Sequence, residues 1–115
     1  MNNKLNMADD NNFESIVINS DIPVLVKFGT SWCSPCSRQQ AILDKMFESG
    51  KHNNIKLVIV DTDISPQITK ALGIRSIPTL VFYQNKKVMF QASGISSEKD
   101  LDEKISTILS LQERQ

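Results

Sequence analysis

Cys33 and Cys36 are the only two cysteines of the chain, and two residues separate them. At that spacing two sulfurs meet within one turn of helix and can close a small disulfide ring. The chemistry on offer is thiol–disulfide exchange, which needs an attacking thiolate, a leaving sulfur and a second thiol to resolve the mixed disulfide. Metal binding is the competing use. A structural zinc site takes four ligands. The chain has no second cysteine pair and a single histidine, His52, beside Asn53. No intrachain metal site is expected, and a zinc ion or iron–sulfur cluster shared between two chains is the alternative.

The flanking segments place the pair. Val24 to Phe28 reads as a buried strand, and Ser37 to Ser49, with apolar Ile42, Leu43, Met46 and Phe47, reads as a helix facing a core. The cysteines therefore sit where a strand turns into a helix. Cys33 falls at the first helical turn, where unpaired N–H groups and the helix dipole favour an anion. A thiolate is stabilised there, and the thiolate is the nucleophile. Cys33 is expected to be partly exposed and to attack; Cys36, one turn in, is expected to be buried and to resolve. Pro35 stiffens that turn and brings no N–H needing a partner. A CxxC pair beside a βαβ pattern is a redox signature.

The remaining pattern is α/β. Met1 to Ala8 reads as a short edge strand. Asp9 or Asp10 can cap a helix through Phe13, Ile16 and Val17 to about Asn19, although the β-branched run Ile16-Val17-Ile18 works against it. A second buried strand runs from Ile55 to Asp61. Ser65 can cap a short helix with Pro66 in its first turn and Gly73 past its end. Pro78 opens a strand from Thr79 to Tyr83, Gln84 to Lys87 turn the chain, and Val88 to Ala92 return antiparallel. Ser97 can cap a last helix carrying Leu101, Ile105, Ile108 and Leu109 on one face. The order predicts a mixed central sheet with helices on both faces.

The bulk properties narrow the function. The 115 residues suit one domain, residues 1–115. The 13 acidic and 13 basic residues balance, which argues for neither nucleic acid nor anionic membrane as a partner. No apolar run approaches the roughly 18 residues of a membrane span. Met1 to Asn12 is polar and Asn-rich, unlike a signal peptide. A cytoplasmic location is expected, where a lasting structural disulfide is improbable and a cycling one is not.

Across nearly its whole length the sequence resembles the thioredoxin family. The matching pieces are Trp32-Cys33-Ser34-Pro35-Cys36, Val58 to Asp63, Gly73 to Thr79 with its Ile77-Pro78-Thr79, and Gly94. WCxPC and IPT in this order and separation are specific together. The resemblance implies the thioredoxin fold, with Pro78 in a cis-proline loop packed against the disulfide. It implies that Trp32, Ile77, Pro78 and Gly94 contact substrate, with the Ile77 backbone pairing with an extended segment of it. It further implies reduction of protein disulfides, no bound cofactor, a monomer, and electrons from an NADPH-dependent thioredoxin reductase. The alternatives are a disulfide oxidase or isomerase, or a non-catalytic binding module on the same fold.

Four positions are expected to tune the couple: Ser34, Pro35, Lys27 and Asp63. The family often has Gly where Ser34 stands, and the Ser34 hydroxyl is a candidate donor to Cys33. Asp63 matches a carboxylate that accepts a hydrogen bond from the motif tryptophan, here Trp32. Family members usually bury an Asp where this chain has Lys27, and a facing Lys where it has Ile59. Lys27 is expected to run its apolar stem to the surface, with an ion pair to Asp61 as another option. If charged, it favours the thiolates and hence the reduced form, giving a more oxidising couple. The family also tends to an aromatic where Gly29 stands, so the surface beside the disulfide is expected to be more open.

Overall fold

The computed structural model describes residues 6–113. Five strands form one mixed sheet in the order β1-β3-β2-β4-β5. They are β1 (Asn6–Ala8), β2 (Val24–Gly29), β3 (Lys56–Asp61), β4 (Thr79–Gln84) and β5 (Lys87–Ser93). β1, β3 and β2 run parallel, and β4 and β5 continue the sheet antiparallel. The helices are α1 (Ser34–Glu48), α2 (Pro66–Ala71) and α3 (Glu98–Glu113). This is the mixed sheet with flanking helices that the pattern predicts, and the thioredoxin fold that the resemblance implies. Met1 to Leu5, within the segment read as an edge strand, lie outside the described residues.

Alternation along β2 builds two cores. Val24, Val26 and Phe28 point to one face, where Phe13, Val17 and Ile68 cover them. Leu25 points to the other, against Leu43 and Met46 of α1 and Leu101 and Ile105 of α3. Burial on both faces explains why the central strands read as near-continuous apolar runs. Lys27 shares the face of Leu25. It stands in register with Ile59 on β3 and Leu80 on β4, a charged residue in an apolar row.

Three local expectations change. The first helix is a single π-helical turn, Glu14–Ile18, in which Asn19 N–H reaches back five residues to the Glu14 carbonyl at 2.9 Å. The β-branched run disfavours regular α-helix there. Asp9 does close the turn before it, accepting from Asn11 and Asn12 N–H at 2.9 and 3.3 Å. Asp10 instead caps α2 from a distance, accepting from Gln67 and Ile68 N–H at 3.1 and 2.9 Å. Ser65, the expected cap of α2, makes no side-chain capping bond. Its hydroxyl is buried without a partner among the described residues. The Ser97 cap of α3 is present, with Asp100 N–H donating to its hydroxyl at 3.1 Å.

Candidate active site

The site lies where β2 ends and α1 begins. Cys33 is the N-cap of α1, and its sulfur accepts the Cys36 N–H at 3.2 Å. The N-terminal N–H groups of a helix lack partners of their own, so the fold aims a donor at the first sulfur. Pro35 in the same turn has no N–H to compete. Cys33 and Cys36 are joined as a disulfide with Cα atoms 5.2 Å apart. Cys36 is sealed at 1% exposure; Cys33, expected to be partly open, is 7% exposed. Ser34 is exposed on the first turn. The donor to the Cys33 sulfur is the Cys36 N–H rather than the Ser34 hydroxyl.

The other loops close around the pair. The Ile77–Pro78 bond is cis, and the Ile77 carbonyl oxygen lies 4.0 Å from the Cys33 sulfur. Gly94, with a left-handed φ of 82°, donates its N–H to the Pro78 carbonyl at 2.8 Å. Trp32 is 71% exposed, and its indole N–H donates to Asp63 at 2.9 Å. Asp63 N–H is in turn held by the Asp61 carboxylate at 2.8 Å. The four residues expected to contact substrate therefore come together on the loops that frame the disulfide. Ile64, beside Asp63, adds an exposed apolar side chain that the sequence pattern does not reveal.

Lys27 departs from both expectations. Its ammonium does not run out to solvent; the residue is 7% exposed. Nζ donates to Gln40 Oε1 at 2.6 Å and lies 3.5 Å from the Cys36 carbonyl oxygen. Gln40 Nε2 passes the contact on to Asp44 at 2.9 Å. Asp61 is not its partner. Burial pushes the Lys27 pKa down, and the Asp44 charge opposes that shift. Beside it lies a half-open cavity of about 190 Å³ lined by Lys27, Gly29, Thr30, Ile59 and Asp61 among others.

Gln39 is a second residue that sequence reasoning misses. It is fully buried on α1 and bonds both the N–H and the carbonyl of Ser96, at 2.7 and 3.1 Å. A signal for it exists in the chain: Cys36, Gln39, Leu43 and Met46 form one helical stripe, and Gln39 is its polar member.

Comparison with known proteins decides the family. The sequence model of the family described as Thioredoxin matches residues 4–107. The chain belongs to the thioredoxin family. It is 33% identical over 106 residues to "Thioredoxin" of Porphyra purpurea, covering 92% of this chain and 98% of that one. It is 33% identical over 96 residues to "Thioredoxin" of Rickettsia felis, covering 84% and 90%. It is 35% identical over 105 residues to "Thioredoxin M-type, chloroplastic" of Pisum sativum, covering 90% of this chain and 59% of the pea protein. With the Cys33–Cys36 pair in place, the chain is a thiol–disulfide oxidoreductase working by dithiol exchange, a protein-disulfide reductase. Among the described residues, no cluster of three or more His, Cys, Asp or Glu side chains could hold a metal, and no helix is long and apolar enough to cross a membrane.

Proposed function

We propose that Cys33 is the attacking thiol and Cys36 the resolving thiol in the reduction of protein disulfides. The observation that carries this reading is the Cys33 sulfur at the α1 N-cap, receiving the Cys36 N–H. The Cys33 thiolate attacks one sulfur of a substrate disulfide; that bond breaks and the other substrate sulfur leaves and takes a proton. Cys36 then loses its proton and attacks Cys33. The second substrate sulfur departs, also to be protonated. Two electrons and two protons pass to the substrate, and Cys33–Cys36 is left oxidised. Trp32, Ile77, Pro78 and Gly94 receive the substrate, which pairs with the Ile77 backbone as an added strand. Pro35 leaves the Cys36 N–H without a rival, and Asp63 orients the Trp32 ring. Ser34 keeps the helix start open to solvent, and Lys27 shifts the couple through its charge.

The wider reading follows the family. Residues 1–115 act as one domain and as a monomer in the cytoplasm, in cell redox homeostasis and electron transport. Electrons come from NADPH through thioredoxin reductase, and the dithiol carries them with no bound cofactor. Zero formal net charge is in keeping with protein partners rather than nucleic acid or a membrane.

A second reading has its own support. Lys27 replaces an acid with a base beneath Cys36, which favours the reduced form and an oxidising couple. The deciding experiment pairs two measurements. Cys36→Ser should accumulate mixed disulfides with substrate proteins, and a variant that traps none rules out exchange through Cys33. The equilibrium potential against glutathione separates the directions. Thioredoxins as a class lie near about −270 mV, a family figure and not one worked from this chain. A value somewhat above it fits a reductase carrying Lys27. A value at about −180 to −120 mV makes the chain an isomerase or oxidase.

A further inference from the structure

We infer that Gln39 is a positioning residue that sets the width of the substrate groove. The inference rests on the proposed role of the Gly94 loop in receiving substrate. Gln39 lies one turn beyond Cys36, so it moves with the helix that carries both sulfurs. Its carboxamide grips Ser96 twice, taking the N–H at 2.7 Å and donating to the carbonyl at 3.1 Å. Ser96 is itself buried and lies two residues after Gly94. The other end of this loop is tied by Gly94 N–H to the Pro78 carbonyl at 2.8 Å. Pro78 follows Ile77, whose carbonyl oxygen faces the Cys33 sulfur. The contacts close a ring: helix, Gln39, Ser96, Gly94, Pro78, Ile77, Cys33.

Packing alone would place an apolar side chain at this buried position on the stripe. A polar side chain there requires every polar atom to be paired, and this carboxamide meets that demand with one backbone unit of one loop. It therefore fixes a distance and an orientation that apolar packing leaves loose. Ile95, between the two anchored residues, is left exposed. Without Gln39, the Ser96 N–H and carbonyl would be buried and unpaired, and the loop would swing outward to reach water. The wall would then no longer stand at its set distance from the disulfide.

The test uses the full-length protein, with insulin as a protein disulfide and dithiobis-nitrobenzoate as a small one that needs no groove. In Gln39→Leu, kcat/KM for insulin should fall about three- to tenfold, the loss expected for one buried hydrogen-bonded unit. The loss should lie in KM. The rate with the small disulfide and the reduction potential should stay within about twofold and unchanged, respectively. Gln39→Glu, which keeps an acceptor for Ser96 N–H and loses the donor, should fall between wild type and Leu. Equal losses on both substrates, or no change in KM for insulin, overturn the inference. Should neither variant fold, the wild-type protein still decides, because the Ser96 N–H must exchange with solvent as slowly as the sheet. Exchange at the rate of an open loop overturns the inference. If wild type itself fails to reduce insulin faster than dithiothreitol alone, the proposed function has failed instead.

Discussion

Adding one methyl group at Gly29 should destabilise the protein, and more so when it is oxidised. Gly29 is a buried β2 residue whose backbone is not left-handed, so Ala fits the chain there. Space is the obstacle. A Cβ at this position would lie 2.8 Å from the Cys36 sulfur and 3.2 Å from Cys36 Cβ. Ordinary contacts between carbons lie at roughly 3.5–4.0 Å, so the sulfur would have to give by well over half an ångström. In the disulfide it cannot turn away, because it is bonded to Cys33. The relief must come from moving the start of α1, which Gln39 and the Lys27–Gln40 contact hold down. Overpacking of this kind costs about 1–3 kcal/mol. Restricting the unfolded chain returns about 0.4–1 kcal/mol. The expected net loss in the oxidised protein is about 1–2 kcal/mol.

Reduction frees the Cys36 sulfur to rotate, so the loss should shrink in the dithiol form. The two stabilities and the potential form a closed cycle. If about 1 kcal/mol of the loss is confined to the oxidised form, the potential of Gly29→Ala should rise by roughly 20 mV, since 30 mV corresponds to about 1.4 kcal/mol for two electrons. Urea unfolding of both forms and equilibration with glutathione measure the cycle independently. Gly73→Ala is the control. Gly73 has a φ of +69° and nothing within 4 Å of where a methyl would stand, so its loss of about 1–2 kcal/mol is backbone strain and should be equal in the two forms. An oxidised Gly29→Ala as stable as wild type, or a potential that falls, would refute the reasoning.

Lys27 should make stability depend on alkaline pH. Its folded pKa lies below the ordinary 10.5, so between the folded value and 10.5 the unfolded chain binds more protons and stability rises with pH. The urea midpoint of wild type should therefore gain on that of Lys27→Met across that window, and a constant difference would rule the effect out. Asp102 acts at the acid end: burial raises its pKa, but hydrogen bonds from His52 at 2.7 Å and Lys51 at 2.9 Å, with their charges, bring it below the ordinary 3.8. Its contribution is complete above 3.8 and disappears as pH falls through the lower folded value, so Asp102→Asn should cost about 0.2–1 kcal/mol at neutral pH, the range of solvent-screened ion pairs, and the gap to wild type should close in stronger acid. At α2, Asp10→Ala should cost about 1 kcal/mol while Ser65→Ala costs nothing or stabilises; chemical denaturation that ranks the two the other way would move the cap back to Ser65.

What can be read without coordinates divides by how local the cause is. Strand alternation, helix stripes and the spacing of Cys33 and Cys36 act over one or two turns of chain, and they identify the mixed sheet and the strand-to-helix placement of the dithiol. Asp63 beneath Trp32 comes from resemblance, and the geometry agrees. The misreadings of polar side chains share one origin. Ser65 stands in the right place to cap α2, but Asp10, far away in sequence, reaches both free N–H groups and leaves the serine hydroxyl idle. Lys27 has a stem long enough to reach water, and nothing in β2 says that Gln40 waits on α1 to hold its amine. Gln39 interrupts an apolar stripe, which marks it as unusual; its reason lies in a loop 57 residues on. In each case a polar atom finds its partner across the fold, a choice that periodicity does not encode because it depends on which surfaces have already packed. The same rule makes these residues informative. The fold's apolar pattern tolerates many substitutions, whereas Lys27 and Gly29 meet α1 at Gln40 and Cys36, and Gln39 ties α1 to Ser96, so three residues outside the CxxC motif hold the helix that carries its sulfurs.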